Sequence, residues 1–310
     1  MCVSPESPQF ERSMDRLVEL GLAISRGEAS SRVYLEYAET LWNVRDLQAT
    51  IDALDNAIAG SPPLSSLDLS RAYASRSICY VQLGDIAQAI ADVNTSIDLL
   101  PRAHPYGLRA ITLLHQGRQS EALADIEQAA RMDPDDWEVR AWRGTIFLEI
   151  GRYAEALADI NWVLETGENH RYASELYLAR ARAQLALGNP VEAAADCSLA
   201  IEEDYHEQSH WPFIVRSRAQ AAYTAYLVRA EARLRLGELA RALGDCCFAA
   251  TIAPGEAAIY ELRARVYQAI GNMPEAIRDL IRADHLHPPS LPLDDASPRV
   301  SEAALVGAGA

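Results

Sequence analysis

The residues with the most distinctive chemistry lie in the stretch YHEQSHW, at positions 205–211. His206, Glu207 and His210 form the pattern H-E-x-x-H, in which two histidines one helical turn apart bind zinc and the glutamate activates a water molecule. This pattern predicts a zinc-dependent hydrolase, with His206 and His210 as the candidate metal ligands. Such a site requires a stable helix through both histidines and a cleft that holds the substrate against the metal.

The residues that follow the motif do not favour such a site. Pro212 stands two positions after His210 and disfavours a helical conformation at Trp211. The longer metzincin pattern would need glycine and histidine at the positions of Phe213 and Arg216. No G-x-S-x-G motif or other catalytic set is present in the sequence. We therefore predict that the protein is not an enzyme and has no cofactor, with the zinc-dependent hydrolase as the alternative.

The composition restricts the class of partner. The chain has 310 residues, of which 49% are hydrophobic and 23% charged, as expected for a folded protein. Its formal net charge of -16 disfavours nucleic acids and anionic membranes, because both require a clustered basic surface. No apolar stretch approaches the length of a membrane span, and the first residues lack the pattern of a secretion signal. We expect a cytoplasmic protein with a protein or peptide partner; the oligomeric state is not predicted.

A short pattern recurs along the chain, and its copies in most of the array are 33 or 34 residues apart. Each copy has a glycine at the same position: Gly84, Gly117, Gly151, Gly188, Gly237 and Gly271. Each also has an alanine five residues later: Ala89, Ala122, Ala156, Ala193, Ala242 and Ala276. Glycine allows one helix to end in a left-handed turn, and alanine allows two helices to cross closely. The pattern therefore predicts repeated pairs of helices.

These copies resemble the tetratricopeptide repeat, a helix-turn-helix unit of 34 residues, over about residues 31–290. The resemblance implies an all-α fold, a right-handed superhelical solenoid of about seven repeats. We place the repeats near 31–64, 70–103, 103–136, 137–170, 174–207, 223–256 and 257–290, with an insertion at 205–222. Residues 1–30 are expected to contain an extra helix, and residues 291–310 to form a flexible tail or a short capping helix at 299–306.

A charged pair recurs with the repeats. Six first helices carry an arginine at one position: Arg76, Arg109, Arg143, Arg180, Arg229 and Arg263. The six second helices carry an aspartate at one position: Asp92, Asp125, Asp159, Asp196, Asp245 and Asp279. The first, degenerate repeat lacks both and has Tyr37 and Ala53 instead. This joint loss predicts a structural, bidentate ion pair between the two helices of each repeat.

The resemblance also implies that the first helices line a concave surface that binds a ligand. One row of that surface is apolar except at its end: Trp42, Val81, Leu114, Leu148, Leu185, Leu234 and Gln268. A neighbouring row includes Thr145, Arg182, Glu231 and Arg265. We predict from these rows a groove for an extended peptide or an amphipathic helix, and hence a non-enzymatic interaction scaffold. The alternative is that the leucine row only packs between adjacent first helices.

Overall fold

The computed structural model describes residues 8–44, 46–166, 172–206 and 218–286. Within these residues all regular elements are α-helices, fifteen in number and without a strand. After α1 the helices follow one another as seven pairs. Their bounds are α1 Pro8–Ser25, α2 Ser31–Val44, α3 Leu47–Ala59, α4 Ser66–Leu83, α5 Ile86–Leu99, α6 Ala103–His115, α7 Gln119–Met132, α8 Trp137–Glu149, α9 Tyr153–Thr166, α10 Ala173–Ala186, α11 Pro190–His206, α12 Arg218–Arg235, α13 Leu239–Ile252, α14 Ala257–Ile270 and α15 Met273–Leu286.

The turn between the helices of a pair has the predicted left-handed geometry. All six recurrent glycines have positive φ, for example 83° at Gly84 and 87° at Gly271. The residue after the glycine then donates its backbone N–H to a carbonyl of the last helical turn, as Asp85 does to Tyr80 at 2.9 Å. This arrangement satisfies carbonyl groups that the end of a helix would otherwise leave unpaired.

The six recurrent alanines are fully buried, because each lies where the two helices of its repeat cross. First helices also contact the first helices of neighbouring repeats, from α4 with α6 to α12 with α14. Second helices of neighbouring repeats make no comparable contact in the described part of the chain. The first helices therefore form the inner, concave layer of the solenoid and the second helices form the outer layer.

The predicted ion pairs are confirmed in all six repeats. In each, the Nε and Nη2 atoms of the arginine donate hydrogen bonds of 2.6–3.1 Å to the two carboxylate oxygens of the aspartate sixteen residues later. Five of the six aspartates are buried, the exception being Asp125. A buried carboxylate is costly unless it is paired and hydrogen-bonded, and the bidentate arginine provides both.

The third donor of the guanidinium links neighbouring repeats. In five of the six repeats the Nη1 atom contacts the second helix of the preceding repeat, at the residue two positions after the aspartate or, in the first repeat, after Ala53. The contacts join Arg76 to Asp55, Arg109 to Asn94 at 2.8 Å, Arg180 to Asn161 at 3.0 Å, Arg229 to Ser198 at 3.1 Å and Arg263 to the Sγ of Cys247 at 3.9 Å. We call these contacts the arginine ladder. Each arginine of the ladder therefore joins three helices in two repeats.

The insertion and the tail lie largely outside the described residues. Helix α11 ends at His206 and α12 begins at Arg218, so residues 207–217 are not described. The same holds for residues 287–310. The division of the chain into an N-terminal segment, an array, an insertion and a tail stays a prediction.

Candidate functional site

The predicted concave surface corresponds to side chains on one face of each first helix. Counted from the paired arginine, these are the residues five before, two after and five after it, which share a helical face because they are seven and three positions apart. The contact of His104 on α6 with Glu138 on α8 shows that this face meets the neighbouring first helix. Both residues stand five positions before their arginine.

The apolar row divides into buried and accessible members. Leu148 and Leu185 are only 5% and 8% exposed, and Val81 is fully buried. These three side chains pack between helices, as the alternative interpretation of the row predicted for all of it. Leu114 and Leu234 are half-buried and lie at the edges of apolar clusters, and Trp42 is half-buried as well. The apolar side chains of this row that keep some exposed surface are therefore Trp42, Leu114 and Leu234.

The charged residues of the second row pair with one another in the C-terminal half of the surface. Arg182 on α10 donates to Glu149 on α8 at 2.9 Å. Glu231 on α12 accepts from Arg265 on α14 at 2.8 Å and from Arg235 at 3.0 Å. Burial alone would raise the pKa of Glu231, but the hydrogen bonds from the two arginines outweigh it and lower that pKa. Arg182, Glu231 and Arg265 thus each have a partner of opposite charge.

Two further polar contacts occupy groups on this surface. The hydroxyl of Thr145 donates to the carbonyl of Ala141 in its own helix at 3.0 Å. The Nη1 atom of Arg235 donates to the carbonyl of Leu185 on α10 at 2.7 Å. The hydroxyl oxygen of Thr145 can still accept a hydrogen bond, and the guanidinium of Arg235 has further N–H groups that can donate.

The N-terminal half of the surface has a different charge arrangement. Arg32 and Glu39 on α2 and Arg71 on α4 are exposed, and none of them forms an ion pair within the described residues. Arg32 and Arg71 are not among the predicted site residues. They stand five positions before Tyr37 and Arg76, which are equivalent in the repeat, so the repeat register identifies them. The charges available to a ligand therefore concentrate on α2 and α4.

His104 and Glu138 lie at the middle of the surface, with 3.8 Å between His104 Nε2 and Glu138 Oε2. Burial raises the pKa of Glu138 to about 7 and lowers that of His104. The imidazole ring meets the indole of Trp142 edge-on, with 5.3 Å between the ring centroids. Near neutral pH this carboxyl group can donate or accept a hydrogen bond, and it can also receive a cationic side chain.

Most of the H-E-x-x-H motif lies outside the described residues. His206 is the last residue of α11, whereas Glu207 and His210 lie outside the described residues. No group of three or more His, Cys, Asp or Glu side chains that could hold a metal occurs in the described ranges.

Of the cysteines in those ranges, Cys79, Cys197 and Cys246 are buried and Cys247 is exposed. None of the described helices is long and apolar enough to cross a membrane.

Comparison with known proteins supports the interpretation of the fold. The family model described as "Tetratricopeptide repeat" matches residues 108–168. A tetratricopeptide repeat protein from Parabacteroides merdae has a similar structure, with a TM-score of 0.56 and 18% identity over 84% of this chain and 94% of that chain. The structure of the APC/C hetero-tetramer Cut9-Hcn1 gives a TM-score of 0.70 and 12% identity over 82% of this chain and 46% of that chain.

Curated relatives match over shorter stretches. The "Protein SGT1 homolog" of Bos taurus is 27% identical over 115 residues, which are 37% of this chain and 32% of that protein. The "TPR repeat-containing thioredoxin TDX" of Arabidopsis thaliana is 29% identical over 100 residues, which are 32% of this chain and 26% of that protein. The matches thus span about a third or less of the length of these relatives.

Proposed function

We propose that this tetratricopeptide-repeat chain is a non-enzymatic scaffold of the cytoplasm that binds an extended peptide or protein segment on its concave surface. The observation that carries the proposal is the row of half-buried apolar side chains at Trp42, Leu114 and Leu234 on the inner layer of helices. Half-exposed apolar side chains edged by charges are what an extended or helical segment with spaced apolar residues requires. The likeness to the Cut9-Hcn1 hetero-tetramer, a complex of two different chains by its name, supports the proposal.

The two halves of the surface contribute differently to this binding. In the C-terminal half, Arg182, Glu231 and Arg265 are already paired, so a charged ligand group must compete with their existing hydrogen bonds. Leu148 and Leu185 are buried and add little apolar surface there. In the N-terminal half, Trp42 and Leu114 provide apolar contacts. Arg71 forms no ion pair within the described residues, so a charged ligand group can bind it without displacing a partner. The N-terminal half is therefore where most of the binding free energy arises in this proposal.

The test is affinity capture with the full chain, identification of the captured segment, and calorimetric measurement of its binding as a synthetic peptide. Leu114→Glu and Arg71→Glu, both on the concave surface, should each weaken binding at least about tenfold, the equivalent of about 1.4 kcal/mol. The matched control is Leu199→Glu, because Leu199 is an exposed leucine on the second helix α11. Unchanged binding in both concave variants, with circular dichroism showing intact helices, would refute the proposed site.

A further inference from the structure

The residues that stand five positions before the paired arginines change the sign of their charge along the inner layer of helices. In the first repeat the same position is five before Tyr37. The equivalent residues of α12 and α14 are uncharged, and from α2 to α10 the row consists of Arg32, Arg71, His104, Glu138 and Glu175. We call these five residues the charge row. Two cations are followed by two carboxylates, and the sign changes at His104 on α6.

His104 lies within reach of charges from both sides. Its Nε2 atom is 3.8 Å from Glu138 Oε2 on α8. Burial lowers the pKa of His104; the charge of Asp136 opposes this shift, and the charges of Arg102 and Arg71 add to it. The imidazole is therefore neutral near pH 7 and adds no charge of its own. The boundary between positive and negative charge thus runs across α6, the helix that contacts both α4 and α8.

Glu138 is a half-buried acid that lacks a cationic partner. Its side chain is 32% exposed, and no arginine of the described part of the chain lies within ion-pair distance of it. Burial and, to a smaller extent, the charge of Asp136 raise the pKa of Glu138 to about 7. Burial would also raise the pKa of Glu231 on α12, but hydrogen bonds from Arg265 and Arg235 lower it. A cationic group of a ligand would stabilise the ionised form of Glu138 in the same way.

Two cations are accessible on the other side of His104. Arg71 on α4 and Arg102 at the start of α6 are exposed, and neither has a carboxylate within ion-pair distance among the residues that the structure describes. Both charges act on His104, so they lie close to the boundary of the charge row. A ligand carboxylate can therefore form a charge-assisted hydrogen bond here without displacing an existing partner.

On the basis of the proposed function, we propose that the bound segment is extended and carries an acidic and a basic residue about five or six positions apart. The acidic residue pairs with Arg71 and the basic residue with Glu138. Packed helices are about 8–10 Å apart, so α4 and α8, on either side of α6, are separated by about 16–20 Å. An extended chain advances about 3.3 Å per residue and spans this distance in about five or six residues. Complementary charges thus set the register of the ligand.

Synthetic peptides with defined charge spacing test the proposal on the full chain. The peptides share one background of alanine, leucine and serine and differ only in the placement of one Asp and one Lys, from neighbouring positions to opposite ends and in both orders. Their length is about sixteen residues, because a helix would need about eleven to thirteen residues to span the same distance. No peptide has a net side-chain charge, so the net charge of -16 of the protein affects all of them equally.

Fluorescence anisotropy measures the affinity of each peptide. The affinity should be highest at a separation of about five or six positions, and at least about tenfold higher there than for neighbouring charges. A maximum at about eleven to thirteen positions would indicate a helical segment and would overturn the proposal. Equal affinity at every separation would overturn it as well, because the charge row would then not select the ligand.

Charge reversal identifies the two contacts. Arg71→Glu should weaken the best peptide at least about tenfold, and replacing the Asp of the peptide with Lys should restore binding to this variant. Glu138→Lys should likewise weaken binding until Asp replaces the Lys of the peptide. If Glu138→Lys does not fold, as judged by circular dichroism, Glu138→Gln should still show the loss of affinity. Failure of the exchanged peptides to restore binding to a folded variant would contradict direct pairing.

The matched controls are Arg131→Glu on α7 and Glu192→Lys on α11. They make the same changes of charge at exposed positions of second helices and should leave the affinity unchanged for both the original and the exchanged peptides. An equal effect of the control variants would mean that net charge, and not the charge row, determines binding.

Leu114→Glu separates failure of this proposal from failure of the proposed function. If Leu114→Glu weakens binding but charge separation and Arg71→Glu have no influence, the concave surface binds a segment of another chemistry and only the charge pattern is wrong. If neither variant changes the binding of any peptide, or no peptide binds, both the charge pattern and the proposed site are wrong.

Discussion

Arg180 on α10 and Asp196 on α11 form two parallel hydrogen bonds of 2.7 Å, while the remaining donor of Arg180 reaches Asn161 on α9. The side chain of Asp196 is 6% exposed and that of Arg180 is 22% exposed. The partly buried guanidinium of Arg180 thus pairs with the nearly buried carboxylate of Asp196. One guanidinium fixes the packing within its repeat and against the preceding repeat.

Loss of Arg180 should destabilise the protein more than loss of Arg143. Arg180→Met leaves Asp196 without a cation in contact, which should cost about 2–4 kcal/mol, between the values for exposed and buried pairs. In Arg143→Met, Asp159 keeps Arg140 at 3.7 Å, so the cost should be about 1 kcal/mol smaller. Guanidinium chloride unfolding measures both free energies.

The control for this comparison is a double-mutant cycle. Arg180→Met combined with Asp196→Leu should be more stable than Arg180→Met alone, because the unpaired buried charge is then removed. If the two substitutions were simply additive, Arg180 and Asp196 would not be energetically coupled.

Two glycines should respond in opposite ways to alanine. A Cβ atom on Gly107 of α6 would lie 2.3 Å from the ring of Trp142, so Gly107→Ala should destabilise the protein by about 1–3 kcal/mol. Gly244 of α13 has open space at the same point, and Gly244→Ala should stabilise by about 0.5–1 kcal/mol through helix propensity. Thermal unfolding of the two variants provides the measurement. A destabilised Gly244→Ala would contradict the helix-propensity argument, and a neutral Gly107→Ala would contradict the contact with Trp142.

Glu138 should make stability depend on pH. Its pKa is raised by burial from 4.5 to about 7, so the folded protein holds this proton more tightly than the unfolded chain. The contribution of Glu138 to stability should therefore fall as pH rises from about 4.5 to 7 and remain constant above. Because water reaches part of the side chain, we expect a total change of about 1–3 kcal/mol.

The variant Glu138→Gln isolates this effect. Relative to the unaltered chain it should gain stability at pH 8 and show little difference at pH 4, since glutamine resembles the protonated carboxyl group. Urea unfolding at a series of pH values checks the difference between the two proteins. An equal difference at pH 4 and pH 8 would mean that Glu138 does not titrate in this range.

The cysteines should differ in reactivity. Burial raises the pKa of Cys79, Cys197 and Cys246 to about 12, so almost no reactive thiolate forms at pH 8, whereas Cys247 is exposed. Alkylation of the folded protein at pH 8 should therefore modify Cys247 and leave the three buried thiols unmodified, as peptide mapping would show. Modification of these four cysteines of the described residues at similar rates would indicate rapid opening of the helix pairs.

The sequence was sufficient for the parts of the fold that repeat. Gly84 and its equivalents predicted the turns, Ala89 and its equivalents predicted the helix crossings, and the joint loss at Tyr37 and Ala53 predicted the ion pairs. These predictions succeeded because each residue is determined by local geometry that recurs in every copy. Recurrence separates such positions from their variable neighbours.

The parts that depend on several repeats at once were not predictable in the same way. Leu114 and Leu148 occupy equivalent positions, yet one is half-buried and the other is buried, because their neighbours on adjacent helices differ. The acceptors of the arginine ladder were missed because Asn94, Ser198 and Cys247 share a position but no residue type. The binding site therefore stays a proposal, whereas the helix pairs do not.

The arginine ladder gives the array a direction. Each guanidinium reaches back to the preceding repeat, as Arg109 does to Asn94 and Arg180 to Asn161, whereas no arginine of the ladder reaches forward. Unfolding of a terminal repeat thus breaks one hydrogen bond of the ladder, and water can then satisfy the released donor or acceptor. The two ends nevertheless differ in chemistry, because unfolding from the N-terminal end releases a guanidinium group and unfolding from the C-terminal end releases its acceptor.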